Sequence, residues 1–237
     1  NNLSPMYNAK SFSNPWDLES TKNVTDASRE SYYHSRANIF PSFVAKNFGV
    51  GIYGKYLLDA KMNSAGTEMD TFFQDDLALV LGVNFRFFDG RIKIGASGRL
   101  ISRIEIDKLI DPTGTMAKSA HASEGAGIGT DLGIILAAPW AWLPTVSAVV
   151  RDFGGTKFTA GSGLRMTTTD RPQEVPQDID VAVAVFPIHG NHSRSVFTLE
   201  YQKIKEASES TDKARYYHAG YEFNYADLLF LRAGMNQ

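Results

Sequence analysis

Hydrophobic and polar residues alternate with a period of two along most of this chain, the pattern of β-strands with one apolar and one polar face. From Ile92 to Asp107 one face reads Ile92, Ile94, Ala96, Gly98, Leu100, Ser102, Ile104 and Ile106, without a charge. The other face carries Lys93, Arg99, Arg103, Glu105 and Asp107. Upstream, Phe73, Asp75, Leu77, Leu79, Leu81, Val83, Phe85 and Phe87 share a face on which Asp75 is the one charge. Asp89-Gly90-Arg91 then gives a tight reversal, the glycine supplying positive φ. Further strands are predicted at 38–46, 49–60, 126–138, 145–158, 178–187, 194–205, 214–224 and 227–237. Strands of soluble folds average about 5–6 residues. The two longest runs here exceed that and suit tilted strands that cross a membrane and continue beyond it.

The connections alternate in length. Short ones fall near Asn47, at Asp89-Gly90, at Pro139 to Pro144, at His189 to His192 and at Tyr225-Ala226. Long, polar ones fall at 61–72, 109–124, 159–176 and 206–213. Short turns on one side and long loops on the other are the order of a transmembrane barrel. Aromatic residues gather beside the short turns: Phe85, Phe87, Phe88, Trp140, Trp142, Phe186, Phe223 and Tyr225. Of these, Phe87, Trp140, Trp142, Phe186 and Tyr225 are expected to form a membrane-interface girdle.

The predicted fold is therefore all-β: an antiparallel transmembrane β-barrel over residues 38–237, with at least ten strands. Residues 1–37 do not alternate and read as an irregular or short helical segment in an external loop. Thr25 would be the N-cap of that helix, with Glu30 in its first turns. The rival fold is a soluble β-sandwich.

Composition fits either fold, with 43% hydrophobic and 21% charged residues. A net charge of −2 gives no footprint for nucleic acid. The longest apolar stretch, Leu132 to Leu143, is broken by Pro139, so no helix is expected to span a membrane. With no cysteine there are neither disulfides nor thiolate metal sites. The acidic loops lack calcium-loop spacing and no His pair stands four apart, so neither metal nor cofactor is expected. Gly125, Gly127 and Gly129 precede no helical pattern and read as a glycine-lined strand rather than a nucleotide fingerprint.

The charges of the polar faces form the main constellation: Arg86, Lys93, Arg99, Arg103, Glu105, Asp107, Asp131, Arg151, Glu200, Glu222 and Arg232. An arginine on the lipid face at mid-membrane costs about 2–4 kcal/mol, so these should line the lumen. They would either pair across strands to fill it or form a polar track for a substrate. On this reading Arg99→Leu should be tolerated structurally, unlike arginine at Leu79 or Leu100. No catalytic site is expected. His189 and His192 with Ser193 read as turn residues, Asp178 and Asp180 as lumen or rim residues, and Asp75 and Asp76 point to opposite faces.

Two stretches resemble a known group. Asn47-Phe48-Gly49-Val50-Gly51-Ile52-Tyr53-Gly54-Lys55-Tyr56 resembles an early strand of the FadL-type outer-membrane barrel superfamily, and Tyr217 to Phe223 followed by Leu229 to Gln237 looks like a late hairpin of it. That group includes long-chain fatty-acid and hydrocarbon transporters and the PorV-like and TraF-like proteins. The resemblance implies about fourteen strands around a lumen that holds lipid or a plug. This chain ends in mid-pattern at Asn236-Gln237, so its barrel is expected to be incomplete at both ends. Asn14-Pro15-Trp16 matches the transporters' N-terminal segment only superficially, so no gate carries over. The expected function is an outer-membrane barrel of a double-membraned bacterium, in contact with outer-membrane lipids, that binds or passes a small hydrophobic molecule. The alternatives are a docking barrel that anchors a partner protein on its long loops, and a general diffusion porin.

Overall fold

The computed structural model describes residues 17–159, 165, 166, 168, 170–210 and 214–236. Twelve strands form a single antiparallel sheet. In chain order they are β1 (Tyr33–Ile39), β2 (Ser42–Val44), β3 (Phe48–Met62), β4 (Met69–Phe87), β5 (Ile92–Ile110), β6 (Ser123–Ala137), β7 (Thr145–Arg151), β8 (Asp178–Val185), β9 (Ile188–His189), β10 (Ser193–Tyr201), β11 (Tyr217–Tyr225) and β12 (Leu229–Asn236). Among the described residues three short α-helices accompany them: α1 (Leu18–Ala27), α2 (Lys118–His121) and α3 (Ile204–Glu209). The sheet is a meander in which β1 and β2 keep one register against β3, and β8 and β9 keep one register against β10. Each of those pairs is one interrupted strand, so the hydrogen-bonded path runs through the ten strands that the alternation predicts. The sheet is not closed into a barrel; β1 and β12 are its two ends.

Several boundaries differ from the sequence reading. The first strand begins at Tyr33 rather than 38, and Phe40-Pro41 interrupts it because proline has no N–H to give the ladder. The helix spans Leu18–Ala27, not a segment capped by Thr25. Its N-cap is Asp17, whose side chain accepts from the Glu19 N–H, and Thr25 sits in its last turn. Half of the expected loop at 61–72 is strand, since β3 runs to Met62 and β4 starts at Met69. Strand β7 stops at Arg151, seven residues before 158, because Asp152, Gly154 and Gly155 take positive φ and turn the chain away. The strand expected at 194–205 stops at Tyr201, and α3 occupies part of the loop expected at 206–213.

The two faces are chemically distinct. On the apolar face, Ile52, Leu79, Leu100 and Ile128 are register partners across four strands and are 42–64% exposed. The band continues through Val146, Val183, Leu199 and Leu231, all exposed. Towards the long-loop end the same face is covered. Helix α1 lays Leu18, Thr21, Val24 and Thr25 down on one side at helical spacing. They meet a cluster containing Leu58, Met62, Met69, Phe73, Ile106 and Ile110, joined by Met116 and Ala122. The main buried core thus lies on the extensions of β3, β4 and β5 beyond the exposed band. No described helix is long and apolar enough to cross a membrane.

Candidate functional site

The opposite face carries the charges. Register parity places Arg86, Lys93, Arg99, Arg103, Glu105, Asp131, Arg151, Glu200, Glu222 and Arg232 all on this polar face, away from the exposed Leu and Ile. In its middle, Arg99 bridges two carboxylates, Asp131 at 2.8 Å and Asp152. Ser97 donates to Asp131 at 2.9 Å, the Asp152 N–H to Asp131 at 2.9 Å, and the Thr156 hydroxyl to Asp152. One layer higher, Arg103 grips Asp76 with two bonds of 2.7 and 2.9 Å. Gln74 donates to Asp76 at 2.6 Å and accepts from Lys55 at 3.0 Å. Glu105 lies 3.9 Å from the Arg103 guanidinium. Arg151 pairs with Asp180, and Arg232 with Glu222 at 2.6 Å. Arg86, Lys93 and Glu200 form no ion pair among the described residues.

A strap runs from Asp152 to Phe158 over this network. It leaves the sheet where β7 ends and crosses the glycines of β6. A Cβ on Gly127 would lie 2.5 Å from the Lys157 carbonyl oxygen, and one on Gly125 would lie 2.7 Å from Phe158 Cβ. Glycine is therefore what lets the strap reach the sheet. Phe158 packs on Ala78 and Ile101 and receives the Arg103 guanidinium 4.9 Å above its ring.

A second clamp sits on the apolar face. Arg165 reaches Asp75 at 3.1 Å, the Ser102 hydroxyl at 3.2 Å and both residues' carbonyls, while its N–H donates to Glu124 at 2.6 Å. Asp75 is thus held by an arginine from a distant loop, and the clamp marks where the exposed band ends and the covered cluster begins. Above it, Lys118 stands 4.0 Å over the Phe73 ring. Burial pushes its pKa down to about 8, against the attraction of Asp75 and Asp17.

The other candidate groups make local contacts. Ser193 donates to the His189 carbonyl at 2.7 Å, and His189 meets buried Ser195 at 3.0 Å, with no carboxylate among the described residues hydrogen-bonded to the ring. Asp178 accepts the N–H groups of Lys205 and Glu206 and caps α3. Asp75 and Asp76 do face opposite ways, one to Arg165 and the other to Arg103. The aromatics lie at the short-turn end: Phe87, Trp140, Trp142 and Tyr225 are exposed, and Phe186 is half-buried beside Trp142, whose carbonyl accepts its N–H at 2.7 Å. Among the described residues no group of three or more His, Asp or Glu could hold a metal ion.

No family model matches the chain, and neither a curated protein nor a solved structure matches it significantly.

Two hollows flank the strapped centre. One, of about 780 Å³, is lined by Leu77, Leu79, Leu100 and Ile128 of the apolar face and by Ala78, Ile101 and Gly127 of the polar face. It lies beside the part of β6 that β7 does not pair. The other, of about 860 Å³, lies on the short-turn side of the network and includes Arg86, Lys93, Arg99 and Arg151 in its lining. Sequence periodicity found the polar-face cations but not Asp152, Thr156 or Arg165, which a strap and a loop bring in, nor the pairing of Asp76 with Arg103, which the β4–β5 register sets.

Proposed function

We propose that this chain forms the wall of an integral outer-membrane β-barrel of the FadL-like kind, which binds or passes a small hydrophobic molecule. The observation that carries the membrane reading is the exposed apolar face. Below the Asp75–Arg165 clamp it bears no charge on any strand from β3 to β12, and many of its large side chains are exposed. A soluble monomer rarely leaves so wide an apolar surface in water. In a bilayer the same surface needs no cover. Pairing of the two free sheet edges would close the barrel and satisfy their backbone groups. The exposed aromatics at the short-turn end fit an interface belt.

The hydrophobic-ligand reading rests on the apolar hollow at the unpaired edge of β6, which touches both faces of the wall. Docking of a partner protein is the second reading. It is favoured by the strap and its ion pairs, which fill the centre of the polar face as a structural plug would. The same filling argues against a general diffusion porin.

Native mass spectrometry of the protein, extracted gently in detergent, tests this. A hydrophobic small molecule retained on a monomer is the expected result. A stoichiometric protein partner without such a molecule would establish the docking reading instead, and partitioning into water without detergent would end the membrane reading.

A further inference from the structure

Arg86 and Lys93 face each other directly across the β4–β5 ladder. Directly opposed side chains have Cβ atoms about 4.5–5.5 Å apart, and like charges so placed repel. Every other polar-face arginine named above has a carboxylate partner. These two cations have none among the described residues. Asp89 lies in the turn just beyond them and forms no ion pair either. Next to them Asn84, on the same face, has its Oδ1 shielded from solvent with no hydrogen-bond partner.

The space in front of these groups is open. They belong to the hollow of about 860 Å³, whose floor includes Gly82, Gly95 and Gly133. A Cβ on Gly82 would meet nothing nearer than 4.0 Å, one on Gly95 nothing nearer than 3.7 Å and one on Gly133 nothing nearer than 3.6 Å. The contrast lies within β6 itself: Gly125 and Gly127 are filled by the strap, whereas the floor below it is bare.

We infer that Arg86 and Lys93, with the Asn84 amide, form a seat for a small oxyanion, a carboxylate or phosphate group, at the short-turn end of the polar face. An oxyanion between them turns the repulsion into two charge-assisted contacts, and the Asn84 side-chain amide, turned so that its NH2 end faces the ligand, donates to a further oxygen of it. The seat is separate from the apolar hollow at the β6 edge and does not depend on what that hollow holds.

The test uses the whole chain in detergent at low ionic strength, with inorganic phosphate and acetate as separate probes. Isothermal titration calorimetry and 31P line broadening read phosphate binding; acetate is titrated alone and as a competitor. Saturable binding of at least one probe is expected, and the tighter of the two identifies the headgroup class. Arg86→Gln with Lys93→Gln should weaken binding at least tenfold without lowering the melting temperature, because it removes a repulsive pair. Arg86→Lys with Lys93→Arg should keep most of the affinity, and Arg232→Gln, elsewhere on the same face, should leave it unchanged. Absence of saturable binding to either probe would overturn the proposal. So would equal affinity in the double Gln variant, or equal loss in Arg232→Gln, which would mean diffuse attraction by the face. Membrane partitioning and retention of a hydrophobic ligand, measured on the same preparation, report on the barrel reading separately.

Discussion

Arg99 holds two carboxylates that sit close enough to share one hydrogen-bond network, Asp131 and Asp152. Removing the guanidinium leaves those negative charges facing each other in a half-buried site. The expectation that Arg99→Leu is harmless, drawn from facing alone, therefore changes. Arg99 and Asp131 are each 26% exposed, so the cost lies between the surface and buried cases, roughly 1–3 kcal/mol. Denaturant unfolding of Arg99→Leu should show that loss, and adding Asp131→Asn should recover part of it. No recovery would mean that the arginine acts through packing alone. Lys118 gives a pH dependence at the same scale. Its folded pKa is lowered to about 8 while the unfolded chain keeps the ordinary lysine value of about 10.4. The unfolded state thus binds more protons between those values. Stability should rise as pH climbs from about 8 to about 10.4, and the charging penalty is complete below about 8. Comparing unfolding midpoints of the wild type and Lys118→Met across that window isolates the effect, since the variant should lack this part of the slope.

At the level of elements, the strap and the glycines of β6 form one unit. Alternation alone marks Gly125, Gly127 and Gly129 as a glycine-lined strand, and says nothing of the 152–158 segment lying on it. Gly127→Ala places a methyl 2.5 Å from the Lys157 carbonyl oxygen, and backbone must move. Overpacking of this kind costs about 1–3 kcal/mol. Limited proteolysis should cut the strap faster in Gly127→Ala than in Gly82→Ala, whose methyl meets nothing nearer than 4.0 Å. Equal rates would mean that the strap is not seated on β6. The helix shows the same limit of local reading. Thr25 looks like a cap by type, yet its hydroxyl bonds the Thr21 carbonyl one turn back, at 3.0 Å, and points to Met69. Asp17 caps instead because the buried face of α1 has to begin at Leu18 to reach the β3–β5 extensions.

Across the whole molecule, the division into an exposed apolar band and a covered apolar cluster sets the level at which a bilayer would end. The Asp75–Arg165 clamp marks it on the outside of the long strands. Leu79→Arg or Leu100→Arg puts a charge inside the band, at about 2–4 kcal/mol in a membrane. Both should block recovery of the protein in the membrane fraction, whereas arginine at Leu109, exposed on the polar face beyond the band, should not. Indifference to position would remove the assignment of faces.

Period-two patterning by itself determined the ten-strand antiparallel path, the side each charge takes and the end at which the aromatics gather. Those features follow from the strand's own geometry, in which successive side chains alternate, and need no knowledge of distant residues. Tertiary structure decided the rest. It set where β7 stops, how the strap covers β6, which carboxylate each arginine takes, and that α1 covers one end of a face whose other end stays bare. These features depend on contacts such as Arg165 with Asp75 and Arg99 with Asp152, between residues far apart in the chain. Such contacts leave no periodic trace, because nothing in the local backbone requires the partner to be there.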